Sequence, residues 1–444
     1  MRQRPPGTHS LPRRADRMRP ARRPIASCAR AFPRVLVAGG AFAVSLAPSA
    51  PAQSGSAPAS VSRALARIKA DNAWTLDQQQ SICEIPAPPF KESVRGAEYK
   101  RRLEALGLTV RVDSIGNVIA ERKGTGTGPT VMIAGHLDTV FPEGTDVKVK
   151  REGNIMRAPG IGDDCRGLAV VLAVARAFQM EKVPTTGTVL FVGNVGEEGP
   201  GNLRGVRHLF TREYQGKVDY FISVDGTGLG LTSRAVGSNR YRVTFQGPGG
   251  HSYGAFGMPS PIHALGRAIA AIADIQVPTT PKATFNVGVI EGGTSVNTIS
   301  PSGAMDVDLR SESKQALADL DAKFQAAVRD ALAAENARWP ASRVRISVKL
   351  DTIGIRPAGA LPDTAFIVRT ALGAGKTLGF TAPISASSTD ANFPMSLGIP
   401  AITIDGGGDG RGAHATSESY DDGDRGWLGP QWAALIVAML AQAR

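Results

Sequence analysis

Four short, almost wholly apolar runs, Val131–Ala134, Val189–Val192, Tyr220–Val224 and Ala401–Ile404, constrain the fold of this chain most. Such runs are characteristic of buried strands, and they suit the centre of a sheet covered by helices on both faces. Each runs into chemically loaded residues. The first leads to Gly135-His136-Leu137-Asp138, the second to Glu197-Glu198, the third to Asp225, and the fourth to a Gly-rich loop, Gly406–Gly412, that can swing His414 back to the same rim. In open α/β sheets ligands gather at the carboxyl ends of the strands, so these acids and imidazoles fall where such a fold builds its site.

Other segments fill in an α/β architecture. Val61–Gln80 and Ser93–Leu106 read as helices, Leu108–Asp113 and Asn117–Arg122 as a strand pair around Gly116, and Leu168–Phe178 as a strongly apolar helix after Gly167. A different rhythm occupies 234–352. Strands at Arg240–Gln246, Thr284–Ile290, Gly303–Arg310 and Val344–Leu350 alternate with helices at Pro261–Ile275 and Lys314–Asn336. This β-α-β-β-α-β order is the ferredoxin-like pattern and can bury its own core. It is expected as a domain of 234–352 inserted into a first one made of 53–233 and 353–444. A length of 444 residues agrees with two domains.

Composition excludes some function classes. The formal charge of +12 suggests a nucleic-acid surface, but residues 1–52 hold ten Arg against one acid, so +9 belongs to that stretch and +3 to the rest. A nucleic-acid binder would have little electrostatic drive. The Arg-rich start, the apolar run Val35–Leu46 and Ala50-Pro51-Ala52 read as an export leader cleaved after Ala52, to the periplasm or beyond. No later stretch reaches 18 apolar residues, so no membrane span is expected in the mature chain. Beyond the leader stand two cysteines, Cys83 and Cys165, which make no disulfide framework.

Neutral imidazole plus carboxylate is the donor mix that Zn²⁺ and similar divalent ions accept. So many acids in one pocket would repel one another unless cations held them together. His136, Asp138, Asp163-Asp164, Glu197-Glu198, Asp225 and His414 therefore read as a two-metal hydrolytic centre. Asp163 stands just before the Leu168 helix, where its side chain can cap the helix or bridge two cations, but not readily both. His208 and His263 lie in helical patterns and read as structural. Asp390 reads as a loop residue.

Gly135-His136-Leu137-Asp138, Gly162-Asp163-Asp164 with Gly167-Leu168-Ala169, Glu197-Glu198, Gly249-Gly250-His251-Ser252, Gly292-Gly293-Thr294 through Asn297, and the late His414 resemble the M20 metallopeptidase family in order and register. The resemblance spans roughly 90–440. It implies a zinc-peptidase-like catalytic domain with a central mixed sheet and an inserted ferredoxin-like dimerisation (lid) domain. By this resemblance Asp163 bridges two divalent ions, Zn²⁺ first and Mn²⁺ or Co²⁺ as alternatives. His136 and Asp225 complete one metal site, Glu198 and His414 the other. Glu197 becomes the general base and Asp138 the partner that orients His136. His251 is implied to reach across a homodimer to the partner's reacting carbonyl. Asn297 and Arg310 match positions that hold the substrate's carbonyl and carboxylate.

Two departures from the family pattern carry information. Cys165 occupies a position where the family commonly has Lys, and reads as a small buried residue. Position 225 is Asp rather than Glu, which among relatives goes with aminopeptidases and dipeptidases. The reading is a hydrolase of short peptides with a free amino end. An N-acyl-amino-acid deacylase is the alternative within the family, and a peptide- or metal-binding protein without activity the alternative outside enzymes.

Overall fold

The structure, a computed structural model, describes residues 57–444; the leader at 1–52 and its cleavage site lie outside them. A nine-stranded mixed sheet organises the described chain. Its middle is built from the four apolar runs, in spatial order Val189–Asn194, Val131–His136, Tyr220–Val224 and Ala401–Ile404, mutually parallel. Antiparallel strands continue it on both sides, Val118–Arg122 and Thr109–Val112 on one and Leu231–Ala235 on the other, where Gly359–Ala360 and Ile384–Ser387 pair with the last.

Strand residues alternate between two cores, as the period of a strand requires. Val131, Ile133, Val189, Phe191, Ile222 and Val224 pack with Leu168, Val171 and Leu172 of helix Cys165–Met180 and with Trp432 and Ile436 of helix Leu428–Leu440. Met132, Ala134, Leu190, Val192 and Phe221 face the opposite side, against Val206, Leu209, Phe210 and Met395. With both faces covered, every residue of the strands 131–136, 189–194 and 401–404 is buried, which is why these runs carry no polar alternation.

Residues 237–356 form a second, four-stranded antiparallel sheet in the order Ala283–Gly292, Ser302–Ser311, Gly237–Gln246, Ser347–Arg356. Helices Pro261–Ala273 and Lys314–Arg338 cover one face, where Tyr241 stacks on Phe324 at 5.2 Å within a core that includes Val243, Phe245, Met305, Val307 and Leu309. The intervening positions carry an ion-pair lattice on the open face, with Arg240–Asp308 at 3.1 Å, Arg242–Asp306 at 3.3 Å and Arg310–Asp308 at 2.6 Å. This is the ferredoxin-like arrangement expected from the sequence.

Three local differences from the sequence expectation have physical reasons. The single helix expected over Val61–Gln80 is two, Ala59–Ala70 and Asn72–Cys83. They break at Asp71, where Asp-Asn is a weak helix-forming pair and the Asp71 carboxylate accepts a hydrogen bond from Arg176 at 2.9 Å. The last strand of the second sheet runs on to Arg356, past 352, because Arg356 is anchored in the first sheet's site. Finally, Asp409–Arg411 and Ser419–Asp421, in and after the Gly-rich loop, pair with each other, and the latter with Ile155–Arg157. No helix among the described residues is long and apolar enough to cross a membrane.

Phe324 fills the second sheet's core, so Phe324→Ala is expected to destabilise the protein by about 3–5 kcal/mol. Denaturant titration measures this, and an unchanged midpoint would contradict the packing described.

Candidate active site

Asp164 settles what Asp163 is free to do. Asp164, not Asp163, is the N-cap of helix Cys165–Met180: its Oδ1 accepts from Gly167 N at 3.0 Å. Its Oδ2 accepts from His136 N at 2.8 Å, joining the helix start to the end of strand Val131–His136. Glycines make that approach possible. A Cβ on Gly167 would lie 2.2 Å from the carbonyl oxygen of Val224, and one on Gly135 would lie 2.9 Å from Leu168 N. Burial pushes the Asp164 carboxyl well above the usual carboxylate range.

The Asp163 carboxylate is thereby left to face two imidazoles. Its Oδ1 lies 3.0 Å from His136 Nε2 and its Oδ2 lies 3.1 Å from His414 Nε2. His414 Nε2 is also 3.2 Å from Glu198 Oε1. Donor atoms of His136, Asp163 and Glu198 all lie within 4.8 Å of one another. Burial alone would raise the Asp163 carboxyl, but the hydrogen bonds from His136 and His414 hold it below its ordinary value. The hydrogen bonds that His414 donates to the Asp163 and Glu198 carboxylates push its imidazole up to about 10.

His414 arrives through a small four-stranded sheet made by 150–152, 155–157, 409–411 and 419–421. It adopts φ +66°, the left-handed region uncommon for residues with side chains and concentrated at functional sites. Four residues later, Glu418 turns inward and accepts from Gly160 N and Gly162 N at 2.8 Å each and from Asp163 N at 3.0 Å. One buried carboxylate thus fixes the Asp163 loop against the segment that carries His414. Burial pushes Glu418 up to about 7. The buried Arg166 guanidinium adds a second tie, donating to the carbonyls of Gly406 and Gly426 at 2.8 Å.

Asp138 organises the glutamate pair. Its two oxygens accept from Glu197 N at 3.0 Å and Glu198 N at 2.9 Å. The His136 ring is oriented chiefly by the backbone carbonyl of Asp138, 3.0 Å from Nδ1, with the carboxylate further off at 3.6 Å. Burial would raise Asp138, yet His136 and the two N–H groups hold it low. Glu197 accepts from Arg356 Nη1 at 2.8 Å; burial nevertheless raises its carboxyl well above the ordinary range, with Glu198 adding to the effect and Arg356 opposing it. Asp225 sits at the end of the neighbouring strand, where burial and the charge of Asp163 push it up to about 8.

The structure therefore gathers His136, Asp138, Asp163, Glu197, Glu198, Asp225 and His414 at one end of the sheet. It does not bring His251, Asn297 or Arg310, the second-sheet residues expected from the sequence, into hydrogen-bond contact with them. His251 and Asn297 adjoin each other on a short ladder, Ser252 N donating to Asn297 O at 2.9 Å. Arg310 is engaged with Asp308. Two residues that sequence reasoning missed, Glu418 and Arg356, touch the cluster directly. Cys165 is fully buried in an apolar cluster with Cys83, Met156 and Tyr420, as a small core residue would be.

Two imidazole nitrogens converging on the two oxygens of one carboxylate, ringed by further acids whose protons are hard to lose, form a donor set that divalent cations fit. A mixed sheet, parallel at its centre, with helices on both faces and this cluster at the carboxyl end of its parallel strands fits a hydrolase of the class acting on peptide and other C–N bonds. The model of Peptidase family M20/M25/M40 matches residues 132–426, and the chain belongs to that family. It is 26% identical over 344 residues to the uncharacterized protein YqjE of Bacillus subtilis, covering 74% of this chain and 89% of that one. Carboxypeptidase G2 of Pseudomonas sp. is 28% identical over 233 residues, 48% of this chain and 54% of that enzyme. The crystal structure of aminopeptidase PepT from Bacillus cereus superposes with a TM-score of 0.67 at 21% identity, covering 85% of this chain and 99% of that one, a likeness of fold.

A pH dependence follows from Asp405, which stands directly after strand Ala401–Ile404. Its Oδ2 accepts from Gly230 N at 2.6 Å, and burial pushes its carboxyl up to about 6. The folded state binds this proton more tightly than the unfolded chain, whose carboxyl titrates near ~3.9. Its contribution to stability is therefore fully present below that value and lost as pH rises through about 6. Asp405→Asn is expected to raise the thermal midpoint at pH 8 relative to the parent, the gain disappearing towards pH 4. A gain independent of pH would refute the assignment.

Proposed function

We propose that the protein is a two-metal hydrolase cleaving the amide bond of di- and tripeptides with a free amino end. The observation that carries this reading is the Asp163 carboxylate, shared between His136 Nε2 and His414 Nε2 at 3.0 and 3.1 Å. In this reading His136, Asp163 and Asp225 would hold one divalent ion, and Asp163, Glu198 and His414 the other. Zn²⁺ suits these donors best, and Mn²⁺ or Co²⁺ are accepted by the same set. Bound there, such ions supply a Lewis acid for the scissile carbonyl and acidify water.

The chain's own groups do the remaining work. Glu197 takes the proton of the attacking water on its carboxylate and delivers it to the leaving amine. Asp138 keeps Glu197 and Glu198 aligned through their N–H groups. His251 and Asn297 are assigned to the substrate's carbonyl, His251 acting across a homodimer, and Arg310 to its terminal carboxylate. The dimer would form through the second sheet, where Val289 and Ile290 on the edge strand Ala283–Gly292 are exposed. The Arg-rich leader supports export, with cleavage after Ala52.

Asp225, rather than Glu, favours the aminopeptidase branch over carboxypeptidases such as the matched G2 enzyme. Incubating the metal-loaded protein with an unblocked dipeptide and with its N-acetylated counterpart separates the two. Cleavage of the free dipeptide is expected; cleavage of the blocked compound alone would replace the peptidase reading with a deacylase. Neither compound being cleaved, with metal bound, would favour a binding protein.

A chelator is expected to abolish turnover, and Zn²⁺, Mn²⁺ or Co²⁺ to restore it. Glu197→Gln is expected to keep its metal, measured by elemental analysis, while kcat falls by about 10²–10⁴. Persistent turnover in that variant would show that another group is the base.

A further inference from the structure

We propose that Arg356 is a positioning residue for the base: the last side chain of the second sheet fixes the Glu197 carboxylate, so that the base is aligned only while that sheet sits against the first. The inference rests on Glu197 being the base. Arg356 ends strand Ser347–Arg356, opposite Ser238 of the entering strand. Its side chain is 6% exposed. Nη1 donates to Glu197 Oε1 at 2.8 Å and Nη2 to the Glu197 backbone carbonyl, while Nη1 also approaches Ser388 Oγ at 3.3 Å. A planar guanidinium gripping both the carboxylate and the main chain of one residue removes its freedom to rotate and to shift.

Two further features separate this contact from packing. Arg356 Nε is buried without a hydrogen-bond partner, an arrangement unfavourable for stability. A residue serving the core alone would do better apolar, because buried ion pairs seldom stabilise more than the hydrophobic residues that replace them. The location also matters. Arg356 lies where the chain passes between the two sheets, and the outgoing and incoming strands touch there. A Cβ on Gly237 would lie 2.5 Å from Ala358 N, and Asn392 Nδ2 donates to the carbonyls of both Val236 and Pro357 at 2.9 and 3.0 Å. Next to it, Ile355 N donates to Asn202 Oδ1 at 3.0 Å, in the loop that follows Glu198. Any displacement of the second sheet is thus carried to the base through one guanidinium.

The test is steady-state hydrolysis of a dipeptide by metal-loaded Arg356→Ala and Arg356→Lys, with thermal midpoint and metal content measured on each. Arg356→Ala is expected to lower kcat about 10²-fold, the scale of a misplaced catalytic group, with KM and bound metal little changed. Millimolar guanidinium should restore part of the lost kcat, and Lys should fall between Ala and the parent. The inference is overturned if Arg356→Ala keeps its turnover, if the loss lies in KM or in metal content, or if neither guanidinium nor Lys recovers activity. Should the Ala variant not fold, Arg356→Lys decides: a reduced kcat at unchanged metal content supports the role, and a parental kcat overturns it. Glu197→Gln run alongside keeps the two readings apart. Turnover in Glu197→Gln removes the base assignment, whereas a dead Glu197→Gln beside a fully active Arg356→Ala removes only the role of Arg356.

Discussion

One carboxylate with an imidazole on each oxygen is the interaction on which the rest of the site depends. Asp163 meets His136, 27 residues before it, and His414, 251 residues after it. Neither contact is local, so the molecule must supply rigid supports for both. Asp164 absorbs the helix-capping demand that would otherwise claim Asp163. Glu418 pins the Asp163 loop through three backbone N–H groups, and Asp138 pins the glutamates through two. The supporting shell is made of carboxylates that accept from main-chain N–H. Such bonds fix backbone positions without depending on long, flexible side chains.

What could be read from the sequence was whatever repeats with a period or ends a strand. The apolar runs at 131–134, 189–192, 220–224 and 401–404 specify strands because both faces are buried. His136, Glu197-Glu198 and Asp225 follow from them because ligands collect at strand ends. The βαββαβ segment was legible for the same reason, its alternation separating Tyr241, Val243 and Phe245 from Arg240 and Arg242. Which of Asp163 and Asp164 caps the helix was not legible, since either side chain suits the position. Glu418 and Arg356 left no pattern at all. Each acts on a residue more than 150 positions away, Glu418 on backbone N–H groups and Arg356 on a single carboxylate. The break at Asp71 was hidden because the apolar periodicity continues through it and the deciding partner, Arg176, lies in another helix.

Electrostatics and packing pull against each other at the sheet end. Asp225 at about 8 and Asp390 at about 6 are carboxyls that burial and neighbouring acids make reluctant to ionise. His136 opposes both, and the Asn194 amide and the Arg356 guanidinium also oppose Asp390. An apolar fill would be more stable here, so the concentration of acid is a feature held against folding stability by the cores beneath it. The covering helices Cys165–Met180 and Leu428–Leu440 are almost entirely buried, which supplies that support.

The strand order has a temporal consequence. Strand Ala401–Ile404 lies between Tyr220–Val224 and Leu231–Ala235, although the whole of the second sheet separates it from them along the chain. During synthesis the 237–356 segment emerges with all its pairing partners already present, whereas the first sheet has a gap that only a distant segment can close. Closures over such long separations are the slow ones. The order of synthesis thus makes a complete second lobe available before the first sheet can close, and both the strand that fills the gap and His414, the last of the clustered residues, come after it.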